Sequence, residues 1–252
     1  MSKNYLFVAN WKMNTNIAEA EELVDKVASG LDSASEDIVV LCPPACYTEQ
    51  CSLVLQTAKL KNLFLGVQNV SWETKGAITG DISVDMVADW VDYAIVGHSE
   101  RRQYFSETNV QINKKIKLCL DRDIRPVLCV GEKRLLSDDI TEVGRDLSEC
   151  MSGLSINEAR KLAIAYEPVW AIGTGEAANA NYVNRIIRDL RGWIKDEFGF
   201  EVAEAIKFLY GGSVNEKNAR DYLQQEQVDG LLVGGASLQA DKFLQIVNFS
   251  EK

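Results

Sequence analysis

The chain has 252 residues, 46% of them hydrophobic and 25% charged, with a net charge of −10. This suits one large domain with a sizeable core, and no run approaches the roughly 20 apolar residues that a membrane-spanning helix needs. The acidic balance argues against nucleic acid or an anionic membrane as the main partner, but not against a small anion held by helix amino termini and a well-placed lysine.

Tyr5 to Asn10 reads as a first strand, entered without an apolar signal region, so the cytosol is the expected compartment. Between Asn16 and Leu31 the apolar residues Ile17, Ala20, Val24, Val27 and Leu31 recur every three or four positions, one face of a helix. A strand follows at Asp37 to Leu41, closed by Pro43-Pro44, and another at Phe64 to Gln68, with a helix expected over 83–90. Tyr93 to Gly97 is the next strand, and Ile112, Ile116 and Leu120 mark its helix. Pro126 to Val130 is paired with a helix carrying Ile140, Val143, Leu147 and Cys150. Leu162 to Tyr166 is paired with Val183, Ile186, Ile187, Leu190 and Ile194. Phe208 to Gly211 precedes a helix near 215–224, and Gly230 to Val233 precedes the last, near 240–248.

Eight strand-then-helix units specify an α/β fold with parallel strands and right-handed crossovers. Within about 250 residues they suit a (β/α)8 barrel, a single domain over 1–252, better than an open doubly wound sheet. In such a barrel the loops after the strands gather at one face, so residues just beyond strand ends are the candidates for chemistry.

Glu167 stands at the end of the sixth strand. Pro168 after it fixes φ and cannot donate to a ladder, so the strand stops there. The segment from Pro168 through Val169, Trp170, Ala171, Ile172, Gly173, Thr174, Gly175, Glu176 and Ala177 to Ala178 has the layout of a lid: stiff hinge, apolar cover, flexible return. A carboxylate dried by such a lid is a stronger base. The alternative is a solvated glutamate before an ordinary loop.

Lys12 lies two residues beyond the first strand, between Trp11 and Met13, a setting for a positioned cation rather than a solvated one. His98 is the only histidine and follows the fourth strand. There an imidazole can polarise a carbonyl or move a proton between neighbouring oxygens, although a lone histidine is more often structural. Gly97-His98-Ser99-Glu100-Arg101 departs from a nucleophile elbow, because Arg101 occupies the second glycine position. Gly173-Thr174-Gly175-Glu176-Ala177-Ala178 matches a dinucleotide fingerprint in form only, since it does not open the first unit of the fold. Gly211-Gly212-Ser213 and Gly234-Gly235 follow strands seven and eight, the usual phosphate loops of this barrel. Cysteines 42, 46, 51, 119, 129 and 150 contain no CxxC pair and read as small buried hydrophobes; with one histidine, a zinc site is disfavoured.

Asn10-Trp11-Lys12-Met13-Asn14, Gly97-His98-Ser99-Glu100-Arg101-Arg102, Ala165 through Gly175, Tyr210-Gly211-Gly212-Ser213-Val214 and Leu232-Val233-Gly234-Gly235-Ala236 occur in order. On these motifs the whole chain resembles the triosephosphate isomerase family. The resemblance implies interconversion of dihydroxyacetone phosphate and D-glyceraldehyde 3-phosphate in glycolysis and gluconeogenesis, without metal or organic cofactor. It implies Glu167 as the base and His98 as the electrophile. Lys12 would stabilise negative charge, Asn10 would orient substrate oxygens, and Glu100 would pair with Lys12. Gly173, Ser213, Gly234 and Gly235 would hold the phosphate through backbone N–H groups.

The resemblance also implies a homodimer in which Gly76-Ala77-Ile78-Thr79-Gly80-Asp81 inserts into the partner near Arg101. Ile78 replaces a frequent aromatic residue in that loop, Asp81 a longer acid, and Glu176 stands where lysine or an apolar residue is common. Other readings of the barrel are another phosphosugar isomerase or an aldolase, for which no strand offers a convincing Schiff-base lysine, and a catalytically silent phosphosugar-binding or surface-interaction protein. Phosphate binding alone would need no base such as Glu167.

Overall fold

The computed structural model describes residues 3–135, 139–171 and 177–248. Eight parallel strands close into a barrel in sequence order: β1 (Leu6–Asn10), β2 (Ile38–Cys42), β3 (Leu63–Val67), β4 (Tyr93–Val96), β5 (Arg125–Val130), β6 (Ala163–Tyr166), β7 (Lys207–Tyr210) and β8 (Gly230–Val233). β8 returns to β1 in the register Leu6 opposite Gly230 through Ala9 opposite Val233. Gly230 sits on that seam with φ 155°, and a Cβ there would lie 1.8 Å from the Leu6 carbonyl oxygen, so only glycine lets the two backbones meet.

Successive strand residues face opposite ways. Leu6, Val8, Val40, Ile95, Val127, Ala165 and Leu209 belong to the inner core, while Phe7, Ala9, Val39, Leu41 and Phe208 pack with the helices. Both faces are therefore dry, which is why the strands read as nearly continuous apolar runs.

Ten helices surround the barrel among the described residues: α1 (Ile17–Gly30), α2 (Thr48–Ala58), α3 (Ser99–Tyr104), α4 (Asn109–Leu120), α5 (Thr141–Met151), α6 (Ile156–Ala159), α7 (Ala180–Phe198), α8 (Phe200–Ala205), α9 (Ala219–Leu223) and α10 (Ala240–Val247). The apolar residues expected to anchor α7 are all buried. In α1 the buried face is Ala20, Leu23, Val24 and Val27, whereas Ile17, at the first helical position, is half exposed. None of the helices among the described residues is long and apolar enough to cross a membrane.

Two helix expectations need correction, and α2 was not expected at all. The segment 83–90 is not an α-helix: Met86, Val87 and Trp90 donate to Ser83, Val84 and Val87, three residues back, and only Val84–Met86 is helical, as a 3-10 turn. Val84 and Val87 are buried at the three-residue spacing of that tighter helix. α2 carried no sequence signal because its buried face is Thr48, Cys51 and Ser52, small and mostly polar. The helix expected from 215 begins at Ala219, since the Asn215 and Asn218 side chains take each other's backbone N–H groups and hold the chain in a turn.

All six cysteines are free, and five are buried. Burial pushes the thiols of Cys51 and Cys119 up to about 12 and that of Cys150 to about 11. Cys46 is exposed. An aromatic disulfide reagent at about pH 8 should therefore titrate one thiol in the native protein and six after denaturation; fast reaction of a second native thiol would contradict the packing.

Candidate active site

The carboxyl ends of the strands form a cleft of about 390 Å³ lined by Asn10, Lys12, His98, Glu167, Gly211, Gly212, Ser213, Gly234 and Gly235, among others. Residues up to 232 positions apart thus share one site, and all the expected substrate contacts except Gly173 lie in it. Gly173 falls within 172–176, outside the described residues, as do Ile172, Thr174, Gly175 and Glu176.

Glu167 is 2% exposed. Its backbone N–H extends the β5 ladder by donating to the Val130 carbonyl at 2.8 Å, which fixes where the side chain starts. Oε2 accepts the Ser99 backbone N–H at 2.8 Å. Oε1 is buried without a hydrogen-bond donor. His98 Nε2 lies 3.1 Å from it, near enough to interact but not aligned as a hydrogen bond. One oxygen is thus anchored while the other has an unused lone pair inside the protein, a state that costs free energy and that a catalytic role would explain.

His98 caps α3. Its Nδ1 accepts the Glu100 backbone N–H at 3.2 Å, so that nitrogen carries no proton in this arrangement and the ring N–H is on Nε2, toward Glu167. Cys129 on β5 also borders the carboxylate. Burial first, then the charge of Glu167, holds its thiol well above the usual range, which makes it a neutral neighbour rather than a second nucleophile.

Lys12 has φ 55°, in the left-handed region that few lysines occupy. Asn10 Oδ1 accepts its N–H at 3.0 Å, and Gln68 donates to its carbonyl at 2.9 Å, so side chains on two strands or their ends hold the backbone there. The Lys12 ammonium then reaches Glu100 Oε1 at 2.5 Å. Gly235 opens a 3-10 turn, Gly235–Leu238, that has no side-chain cap, and a Cβ on Gly235 would meet nothing within 4 Å. Space and free donors are what an anion needs there.

The described ends of the expected lid are tied down. Val169–Ala171 form a 3-10 turn; Val169 N–H donates to the Glu132 carbonyl at 2.9 Å, and Trp170 Nε1 to Glu132 Oε1 at 2.8 Å. Tyr166 and Tyr182 hydroxyls donate to the same oxygen at 2.7 and 3.0 Å. Ser213 Oγ donates to the Ala171 carbonyl at 2.9 Å. At the far end Tyr210 OH accepts the Ala178 N–H at 3.3 Å, and Tyr222 OH donates to its carbonyl at 2.7 Å, the two rings stacked at 4.1 Å. Ala177 is exposed.

Gly76, Ala77, Ile78, Thr79 and Gly80 are exposed, with Asp81 partly so, and none of them lines the cleft. Arg101 also stays outside it: Nε donates to Glu107 Oε2 at 2.6 Å, and Glu107 in turn pairs with the fully buried Lys115 at 2.9 Å. Sequence reasoning missed Glu132, Gln68 and Lys242. Glu132 had a usable signal, since it stands two residues beyond β5 as Lys12 stands two beyond β1.

A sequence model of the triosephosphate isomerase family matches residues 5–250. A triosephosphate isomerase of Alkaliphilus metalliredigens is 39% identical over 248 residues, covering 97% of this chain and 98% of the relative. That of Acetivibrio thermocellus is 40% identical over 255 residues and covers both chains completely. That of Streptococcus mutans is 40% identical over 257 residues, 99% of each.

Proposed function

From the premise that the chain belongs to the triosephosphate isomerase family, we propose how its residues divide the reaction, the interconversion of dihydroxyacetone phosphate and D-glyceraldehyde 3-phosphate. The observation that carries the division is the buried, donor-free Oε1 of Glu167 beside the Nε2–H of His98.

Oε1 removes the proton from the carbon next to the carbonyl, and the C–H electron pair moves into an enediolate. His98 Nε2–H donates to the oxygen on which charge develops, and the proton is redistributed between the two enediolate oxygens. Glu167 then returns its proton to the neighbouring carbon, so the atoms balance with no other reactant. Lys12 stabilises the charge, Glu100 keeps Lys12 in place, and Asn10 orients the substrate oxygens. Ser213, Gly234, Gly235 and Gly173 hold the phosphate. The segment 168–178 covers the site, residues 1–252 work as one barrel domain, and the protein acts in the cytosol.

The test is isomerisation in D2O followed by NMR. Proton transfer through a base that exchanges with solvent should place deuterium on the carbon that receives the proton. Turnover with no deuterium in the product would sink the carboxylate route, and no turnover at all would favour a silent phosphosugar-binding protein.

The working unit we propose is a homodimer formed through the 76–81 loop. Ile78 in that loop is 38% exposed and offers an apolar side chain to a partner. Sedimentation at micromolar concentration should give the dimer mass, and Ile78→Asp should shift it toward monomer. A wild-type protein that sediments only as monomer would refute this.

A further inference from the structure

The cleft must draw in a phosphate dianion although acidic residues outnumber basic ones 37 to 27 in the chain. Two lysines line it, Lys12 and Lys242, together with the carboxylates of Glu167 and Glu216. Lys12 is already paired with Glu100 at 2.5 Å, and two opposite charges that close nearly cancel for an ion arriving from solvent. Lys242 differs. It lies in the first turn of α10, is partly buried, and has no hydrogen bond or ion pair among the described residues. Asp241 shares that first turn but is exposed and makes no ion pair with Lys242. Glu216, on the loop after β7, is likewise unpaired and beyond ion-pair distance of Lys242.

We propose that Lys242 is a further substrate-binding residue: the uncompensated cation at the phosphate end of the cleft, which attracts and holds the dianion, with Glu216 as the charge that opposes it. This rests on the reading of the cleft as a triose phosphate site and adds a residue to it. Lys242 takes no part in proton transfer, so its effect falls on capture and affinity. The attraction acts across solvent and is strongest when the Debye length is about 30 Å at 0.01 M salt, fading as it drops to about 8 Å at physiological ionic strength.

The experiment compares wild type, Lys242→Gln and Glu216→Gln in steady-state isomerisation at about 10 mM and about 150 mM ionic strength, together with calorimetric titration by inorganic phosphate. Lys242→Gln should lower kcat/KM about three- to tenfold at low salt, through KM, and less than about twofold at high salt. Glu216→Gln should change kcat/KM in the opposite direction, and phosphate affinity should follow the same order. A Lys242→Gln protein with unchanged kcat/KM at low salt, or a loss that salt does not reduce, overturns the proposal, since a merely structural lysine would not alter the salt dependence. Should the wild type lack isomerase activity, the reading of the reaction fails by itself. The phosphate titration still decides for Lys242: weaker binding by the variant supports it, equal binding refutes it.

Discussion

Shortening Glu167 to aspartate is expected to lower kcat by about two to three orders of magnitude, with KM changed by less than about threefold. The substitution keeps the charge and withdraws the carboxylate by about one carbon–carbon bond, and a misplacement of about 1 Å can cost about a hundredfold. Here the loss is compounded by the anchor: Oε2 accepts the Ser99 N–H at 2.8 Å, and a shorter side chain cannot both keep that bond and present its other oxygen where Oε1 now sits. Glu167→Gln keeps the reach and removes the base, so it should fall further in kcat, by about three to four orders of magnitude. Steady-state assays in both directions with a coupling enzyme read these values. An aspartate variant within a few-fold of wild type would mean that Glu167 is not the base. Equal loss in kcat/KM and kcat is the signature of an interaction made only in the transition state.

Gly131→Ala should be the most damaging single methyl group near the site. A Cβ there would lie 1.8 Å from the Glu167 carbonyl oxygen and 2.5 Å from its carbon, both backbone atoms that no rotamer change can move. β5 and β6 pair at Val130 and Tyr166 immediately below, so the top of that ladder would have to part. Overpacking of this kind costs about 3 kcal/mol, which lowers Tm by about 6–12 °C in a chain of this size. Because the displaced atoms belong to the residue that carries Oε1, kcat should drop about a hundredfold in the protein that still folds. Gly192→Ala is the contrast: it is inside α7 and its Cβ would meet nothing within 4 Å. It should raise stability by about 0.5–1 kcal/mol, as glycine in a helix interior costs that much relative to alanine. Calorimetric melting of both variants should therefore show shifts of opposite sign, and a Gly131→Ala protein that melts with wild type would contradict the close approach of the two loops.

The strands were legible because both their faces are buried, so the run of apolar residues is nearly unbroken in each. The long helices were legible where one stripe alone meets the barrel, as in α7. The missing elements had no such imprint. α2 buries Thr48, Cys51 and Ser52, and α3, Ser99–Tyr104, is largely polar because its amino end serves His98 and Glu167 rather than a core. The helix expected over 83–90 is absent because the backbone there takes three-residue turns instead. Within the site, residues at strand ends were found because the barrel's geometry makes position informative. What escaped was the support: the Ser99 backbone N–H, the tyrosines and tryptophan converging on Glu132, and Gln68 behind Lys12, whose roles arise from contacts between segments far apart in the chain.

The seam between β1 and β8 has a bearing on biosynthesis. Leu6 pairs with Gly230, so the two edges that complete the ring lie more than 220 positions apart. Translation at about 5–20 residues per second separates their appearance by roughly 10–45 s. Throughout that interval the nascent chain carries an unpaired β1 edge, and no earlier strand can occupy it without changing the order of the ring. β1 thus waits longest of the eight strands for its second neighbour, and the glycine at position 230 keeps that docking free of a side chain that would have to be moved aside.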